Sequence, residues 1–262
     1  MKLAFRSDYR DLCASRAELA RIKSAPRYTP LVSEILGSRL QIVDGASFCA
    51  SYHEIFEREI YAFRPASDAP LIIDGGANVG VSVLYFKKHY PKSRIVAFEA
   101  DPTVFSVLEA NLHKAGHGDV QLINKALWKE DTVLEFCIEG ADAGRIPRED
   151  DRRQPKKIRV PTVRLRQYLT DPVDLLKLDI EGAETEVLLD CADLLKNVSS
   201  LFVEYHSFLH EEQRLDVVFQ LLRTAGFRIY VQTVTCPSQP FIKISDHLGM
   251  DLQLNIFGTR EA

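Results

Sequence analysis

A mostly parallel β-sheet covered by helices on both faces is the fold this sequence predicts, and three observations predict it. From Pro70 onward, short apolar runs with β-branched residues alternate with helical patterns. The first run, "LIID" at 71–74, leads at once into glycines and a polar turn, which is the strand–loop–helix form of a ligand-binding unit. The last two runs, 227–234 and 251–258, have no helical pattern between them and should pair antiparallel, against the direction of the others.

Taken in order, residues 1–66 stand apart from this alternation. They read as a helix over 9–23, a loop at "SAPRYTP", a short strand in "SRLQIVD" and a helix through "FCASYHEIFEREIYAF". That is a small N-terminal helical cap or lid ahead of a main domain at 67–262. Phe48, Tyr52, Ile55, Phe56 and Ile60 fall at helical spacing and predict a core-facing stripe, while Tyr52, His53 and Glu54 are candidates for the wall of an acceptor pocket. In the main domain, strands are predicted at 71–74, 94–99, 120–126, 173–179 and 200–205, followed by the final two. Helices are predicted at 79–89, 102–115, 183–195 and 211–225. "VLEFCIE" and "IRVPTV" read as two extra strands joined by a long loop over 139–157. Its run "REDDRRQPKK" mixes both signs and predicts a solvated segment rather than a phosphate-binding patch.

Composition narrows the function classes. The chain has 262 residues, 46% hydrophobic and 27% charged, enough to bury one large core with an appendage. A net charge of −4 argues against a nucleic-acid-seeking surface. Five cysteines, odd in number and without C-x-x-C spacing, indicate neither a disulfide framework nor a zinc site and fit a reducing cytoplasm. Charges recur too often for a membrane span, and "MKLAFRSDYRDLC" does not have the form of a leader.

The glycine loop carries the first chemical signal. A dinucleotide fingerprint needs G-x-G-x-x-G, but from Gly75 the third position is Ala77. The pattern present is D-x-G-x-x-x-G, from Asp74 through Gly76 to Gly80, with helix-starting residues from Asn78 and Val79. The next strand ends in Glu99, about 20 residues beyond the loop, where this architecture places an acid that accepts hydrogen bonds from both ribose hydroxyls. Ligands in open parallel sheets sit beyond the carboxyl ends of the strands. Those ends collect Asp74, Glu99, Ala126, Asp179 and Glu204, with Glu181, Glu184 and His206 just beyond.

"DGGANVG", "FEADP", "LLKLDIEGAE", "FVEYHS" and "LQLNIFGTR" closely resemble the FkbM-type methyltransferases over roughly 52–260. The resemblance implies a Rossmann-like seven-stranded sheet with the final strand antiparallel, bound S-adenosylmethionine, and methyl transfer to a hydroxyl of a sugar, glycan or natural product. By position, Asp74 and the loop Gly75, Gly76, Ala77, Asn78, Val79 and Gly80 would hold the methionine part of the cofactor. Glu99 would hold the ribose, Ala100 and Asp101 would flank the adenosine, Asn124, Lys125 and Ala126 would approach the adenine, and Asp179 would complete the cofactor side. A cofactor without phosphates accounts for the missing third glycine.

An aliphatic hydroxyl resembles water, with a pKa of about 15.7, so its methylation needs a base or a metal. His206 is the first candidate base, oriented by Glu204 or Glu181. Asp179 with Glu181 could instead bind Mg²⁺. Three rivals are weighed against this. A short-chain dehydrogenase would need Tyr-x-x-x-Lys, which none of the tyrosines satisfies. An RNA methyltransferase would share the cofactor residues, but an N-P-P-Y-like sequence is replaced by "DIEG". A non-catalytic cofactor-binding scaffold would not need the acidic rim.

Overall fold

The computed structural model describes residues 15–138, 156–242 and 249–260. The start of the predicted first helix and most of the 139–157 loop lie outside them. Helix α1 covers 15–23, and strands β1 (Leu31–Ser33) and β2 (Leu40–Ile42) form an antiparallel hairpin of which the sequence predicted only the second arm. Helix α2 (Gly45–Tyr52) starts where the Asp44 carboxylate accepts the Ser47 N–H at 3.0 Å. It continues as a π-helical turn, His53–Glu57, so the predicted helix through residue 63 ends early.

The main sheet begins with β3 (Leu71–Gly75), α3 (Val81–His89), β4 (Arg94–Phe98) and α4 (Pro102–Lys114), whose N-cap Asp101 precedes a helix-starting proline. The predicted strand 120–126 is two strands. β5 (Gln121–Ile123) ends the main sheet, the chain turns at Asn124–Lys125, and β6 (Ala126–Trp128) joins a separate three-stranded sheet with β7 (Val133–Ile138) and β8 (Lys156–Arg164). Then follow β9 (Val173–Leu178), α5 (Glu184–Asp190), β10 (Val198–Phe208), α6 (Leu215–Thr224), β11 (Arg228–Thr235) and β12 (Met250–Thr259). The seven-stranded order is β11-β12-β10-β9-β3-β4-β5, with β12 inserted antiparallel to both neighbours. This is the predicted Rossmann-like α/β fold.

Apolar residues of α5 and α6 fill one side of the sheet, with Val187, Leu188, Val218 and Leu222 fully buried. The other side packs α3 and α4 together with the N-terminal segment, whose Ile22, Leu40, Ile42 and Phe48 share one core with Ile72, Phe86 and Leu108. Asn111 of α4, fully buried, bonds both ways to the Gln41 backbone (2.7 and 2.9 Å) and also donates to the Val79 carbonyl at 2.9 Å. Cap and glycine loop are thus fastened to the same side chain. Among the described residues, no helix is long and apolar enough to cross a membrane.

Candidate active site

The glycine loop is held from three directions. The Gly76 and Ala77 N–H groups donate to the Phe98 carbonyl (3.0 and 2.9 Å), tying the loop to the end of β4. Gly76 has φ +79°, and a Cβ there would lie 1.8 Å from the Asp179 carbonyl oxygen, so only glycine lets β3 and β9 approach this closely. Gly80, at φ +97°, precedes α3, and a Cβ there would strike Leu108 at 2.9 Å. The third tie is Lys177, which the sequence reading did not select. Its Nζ donates to the Gly75 and Gly76 carbonyls (3.1 and 2.8 Å) and lies 3.1 Å from Asp74 and 3.6 Å from Asp179. Burial alone would lower its pKa, but the carboxylates of Asp74 and Asp179 outweigh burial and keep it raised.

One cavity of about 640 Å³ opens above this loop, within the usual range for small-molecule sites. Gly76, Ala77, Asn78 and Val79 line it, as do Glu99, Ala100, Lys125, Ala126, Asp179, Glu181 and Glu204. Those predicted residues are brought together.

Others are not. Asp74 is fully buried behind the loop, accepting from Ser82 Oγ at 2.5 Å and paired with Lys177, so it supports the loop instead of touching a ligand. Gly75 and Gly80 serve close packing outside the cavity wall. Asp101 is turned inward as the cap of α4, accepting from the Thr103 N–H at 2.7 Å. Asn124 donates to the Glu99 carbonyl at 2.8 Å and so shapes the segment that carries Glu99. Of the three cap candidates, His53 and Glu54 line the cavity, whereas Tyr52 stacks on Phe56.

Glu99 sits at the meeting of these elements. Its two oxygens accept the Asn78 and Asp101 N–H groups at 3.0 and 2.8 Å. Burial nevertheless raises its pKa to about 7. A half-buried carboxylate that lines an open cavity is poised for hydroxyl donors.

The register of the sheet places the remaining acids in rows on one face. Asp74 pairs with Lys177 across β3–β9, Glu204 with Asn255 and His206 with Gln253 across β10–β12. His206 stands apart from the other predicted site residues. It does not line the cavity; its Nδ1 lies 3.0 Å from Glu184 Oε1, and its Nε2 is 3.7 Å from Glu181 and 4.0 Å from Glu204. Burial alone would lower its pKa, but Glu181, Glu184 and Glu204 outweigh burial and push it well above the ordinary histidine value. Its Nε2 also lies 3.4 Å from the Gln253 amide nitrogen, so both ring nitrogens are engaged by the protein. Glu184 is itself held by the Ile180 and Gly182 N–H groups, at 3.1 and 3.0 Å. Burial moves Glu181 and Glu204 upward, in the direction that favours proton acceptance near neutrality.

Similarity to known proteins agrees with this arrangement. The profile described as the methyltransferase FkbM domain matches residues 74–229, from the glycine loop into β11. The chain belongs to the FkbM-domain methyltransferases. Methyltransferase 1 of Beauveria bassiana is 33% identical to this FkbM methyltransferase over 174 residues, covering 56% of this chain and 70% of that protein. Methyltransferase sdnD of Sordaria araneosa is 31% identical over 172 residues, covering 52% of this chain and 66% of its own length. A solved FkbM methyltransferase from Methylobacillus flagellatus superposes with a TM-score of 0.50 at 16% identity, covering 94% of this chain and 59% of that one, which shows the shared fold.

Proposed function

We propose that this FkbM methyltransferase uses S-adenosylmethionine to methylate a hydroxyl of a small sugar, glycan or natural-product acceptor, and that Glu204 takes the hydroxyl proton. The observation that carries this reading is that the glycine loop, Glu99 and a row of carboxyl groups all face one cavity. The residues present fit the cofactor. Glu99 offers a half-buried carboxylate to a ribose diol, the side-chain-free Gly76 segment gives close backbone approach, and Lys125 and Ala126 flank the cavity.

The cofactor, when bound, supplies an already activated methyl group on a sulfonium. The chain's own work is therefore alignment and proton removal. Asp179, Glu181 and Glu204 gather carboxyl groups at the carboxyl ends of β9 and β10, a polar rim on the cavity that would receive the donor. Glu204, lining the cavity with Gln253 as its hydrogen-bond donor, is placed to accept the acceptor's proton. His206, behind it and locked to Glu184, holds the acids in position. His53 and Glu54 of the cap close the opposite wall, where a polar acceptor would be read. A cavity of about 640 Å³ beside the cap is of the size that holds a small acceptor.

Calorimetry with S-adenosylmethionine, S-adenosylhomocysteine and NAD tests the cofactor assignment. Binding of the first two and not the third is expected. Binding of NAD alone would overturn it. Mass spectrometry of small metabolites and glycans exposed to the enzyme, searching for a gain of one methyl on oxygen, tests the acceptor class.

A further inference from the structure

Among the described residues, Asp179, Glu181 and His206 are the one group of three such side chains whose donor atoms all lie within 4.8 Å of one another. Acidic clusters are common on proteins, and three further observations set this one apart. The first is Asn255. Its Oδ1 has no hydrogen-bond partner although the residue is only 3% exposed, and it lines the cavity in register with Glu204. A buried carbonyl oxygen without a partner costs free energy unless a ligand completes it. The second is charge. Lys177, held by Asp74 and the glycine-loop carbonyls and 3.6 Å from Asp179, shares with His206 the task of facing five carboxyl groups, those of Asp74, Asp179, Glu181, Glu184 and Glu204. The third is orientation. Glu184 grips His206 through Nδ1 and is itself fixed by two backbone N–H groups, which leaves Nε2 facing Glu181 and Glu204, with the Gln253 amide nitrogen at 3.4 Å to be displaced by an ion. A carboxylate behind a histidine is the arrangement that fixes the tautomer of a metal ligand.

We infer that Asp179, Glu181 and His206 form a binding site for a divalent transition-metal ion, with Asn255 and Glu204 at its edge. The mixed donor set selects the ion. Imidazole nitrogen with carboxylate oxygens suits Mn²⁺, Fe²⁺, Co²⁺ or Zn²⁺ better than the all-oxygen preference of Mg²⁺ or Ca²⁺. Spacing agrees, because bonds of about 2.1 Å place neighbouring ligand atoms about 3 Å apart and opposite ones about 4.2 Å apart. The separation of 3.7 Å between His206 Nε2 and Glu181 lies between those values. On binding, the ion takes the place of the proton on Nε2, which passes to solvent. What the ion does there rests on the proposed function: beside Glu204 it would acidify the acceptor hydroxyl as a Lewis acid. The site itself rests only on its donors.

The test uses the full chain, stripped with a chelator and titrated with Co²⁺ and, separately, Mn²⁺, read by visible absorption, electron paramagnetic resonance and calorimetry. One equivalent should bind. Asp179→Asn should weaken binding at least about tenfold, as should Glu184→Gln, whose carboxylate acts through His206 and for which a loss of about 10 to 100-fold is expected. Glu184→Gln should also change the Co²⁺ spectrum, which a merely structural role would not. Circular dichroism checks that each variant is folded; if Glu184→Gln is not, Asp179→Asn, at the cavity wall, decides alone. Absence of binding by the wild type, or binding that Asp179→Asn leaves within twofold, would overturn the site. Calorimetry with S-adenosylmethionine on the same samples keeps the two readings apart, since metal binding without cofactor binding would refute the cofactor and leave the metal standing.

Discussion

Replacing Glu99 with glutamine should weaken S-adenosylmethionine binding by about two orders of magnitude and remove its dependence on pH. Both carboxylate oxygens already accept one backbone N–H each, at 3.0 and 2.8 Å, so the residue is oriented before any ligand arrives. A hydrogen bond to a charged acceptor contributes about 1.5–3 kcal/mol, and a ribose diol makes two. Glutamine keeps the shape but offers one neutral acceptor, so the loss should be near 3 kcal/mol, or roughly 150-fold. The pH arm follows from the pKa of about 7 in the ligand-free cavity. Hydroxyl donors need the ionised form, so affinity should be constant well above pH 7 and fall about tenfold per unit below it. Calorimetric titrations from pH 5.5 to 8.5 on both proteins measure this directly. Wild-type affinity that stays flat across that range, or a glutamine variant within threefold of wild type at pH 8, would refute the assignment of Glu99 to the ribose.

Three further outcomes are expected. Lys177→Met leaves Asp74 buried without its cation and should cost about 3–5 kcal/mol of stability, with Asp74→Asn added to it restoring part of the loss; thermal unfolding of the single and double variants reads this. Glu204→Gln should lower turnover by roughly 10² to 10⁴-fold with cofactor affinity nearly unchanged, and a variant that keeps wild-type turnover when methyl transfer limits the rate would remove Glu204 as the base. Ligand-free protein should lose stability as pH rises from about 4.5 through 7, because Glu99 titrates at about 7 when folded against 4.5 when unfolded and so binds more protons in the native state. His206, Glu181 and Glu204 shift the same way. Glu18 and Asp44, both lowered to about 2, withdraw their contributions only on acidification below their unfolded values, so unfolding temperatures that rise between pH 5.5 and 8 would contradict the cluster.

Local patterns made the glycine loop, Glu99 and the alternation of strands legible, since each is written within a few consecutive residues. What escaped was set by distance and direction. Lys177 stands in an apolar strand reading "VDLLKL", and nothing local tells that its partner Asp74 is 103 residues away in sequence and adjacent in the sheet. The apolar pattern of "VQLINKALW" runs on through Asn124 and Lys125, yet the strand breaks there because Asn124 bonds back to the Glu99 carbonyl and Ala126 pairs instead with Thr162. His206 stands near the carboxyl end of its strand, as the sequence predicts, but behind the cavity wall, with Glu184 on its Nδ1. Glu181, at φ +56°, turns the segment after β9 so that Glu184 comes up behind the imidazole, a three-dimensional fact that periodicity does not carry.

Asn111 has a consequence for how specificity can be changed in this protein. Its single amide satisfies the hairpin of the cap and the backbone of the glycine loop together, so the region proposed to read the acceptor and the region proposed to grip the donor share one anchor. A cap grafted from a relative would dock productively only if it presented a strand N–H and carbonyl to that amide. A graft lacking them would strand a fully buried side chain and loosen donor binding as well as acceptor choice. On the proposed function, acceptor preference is therefore better altered by substituting His53 and Glu54 on the existing cap, which line the cavity and leave the anchor intact.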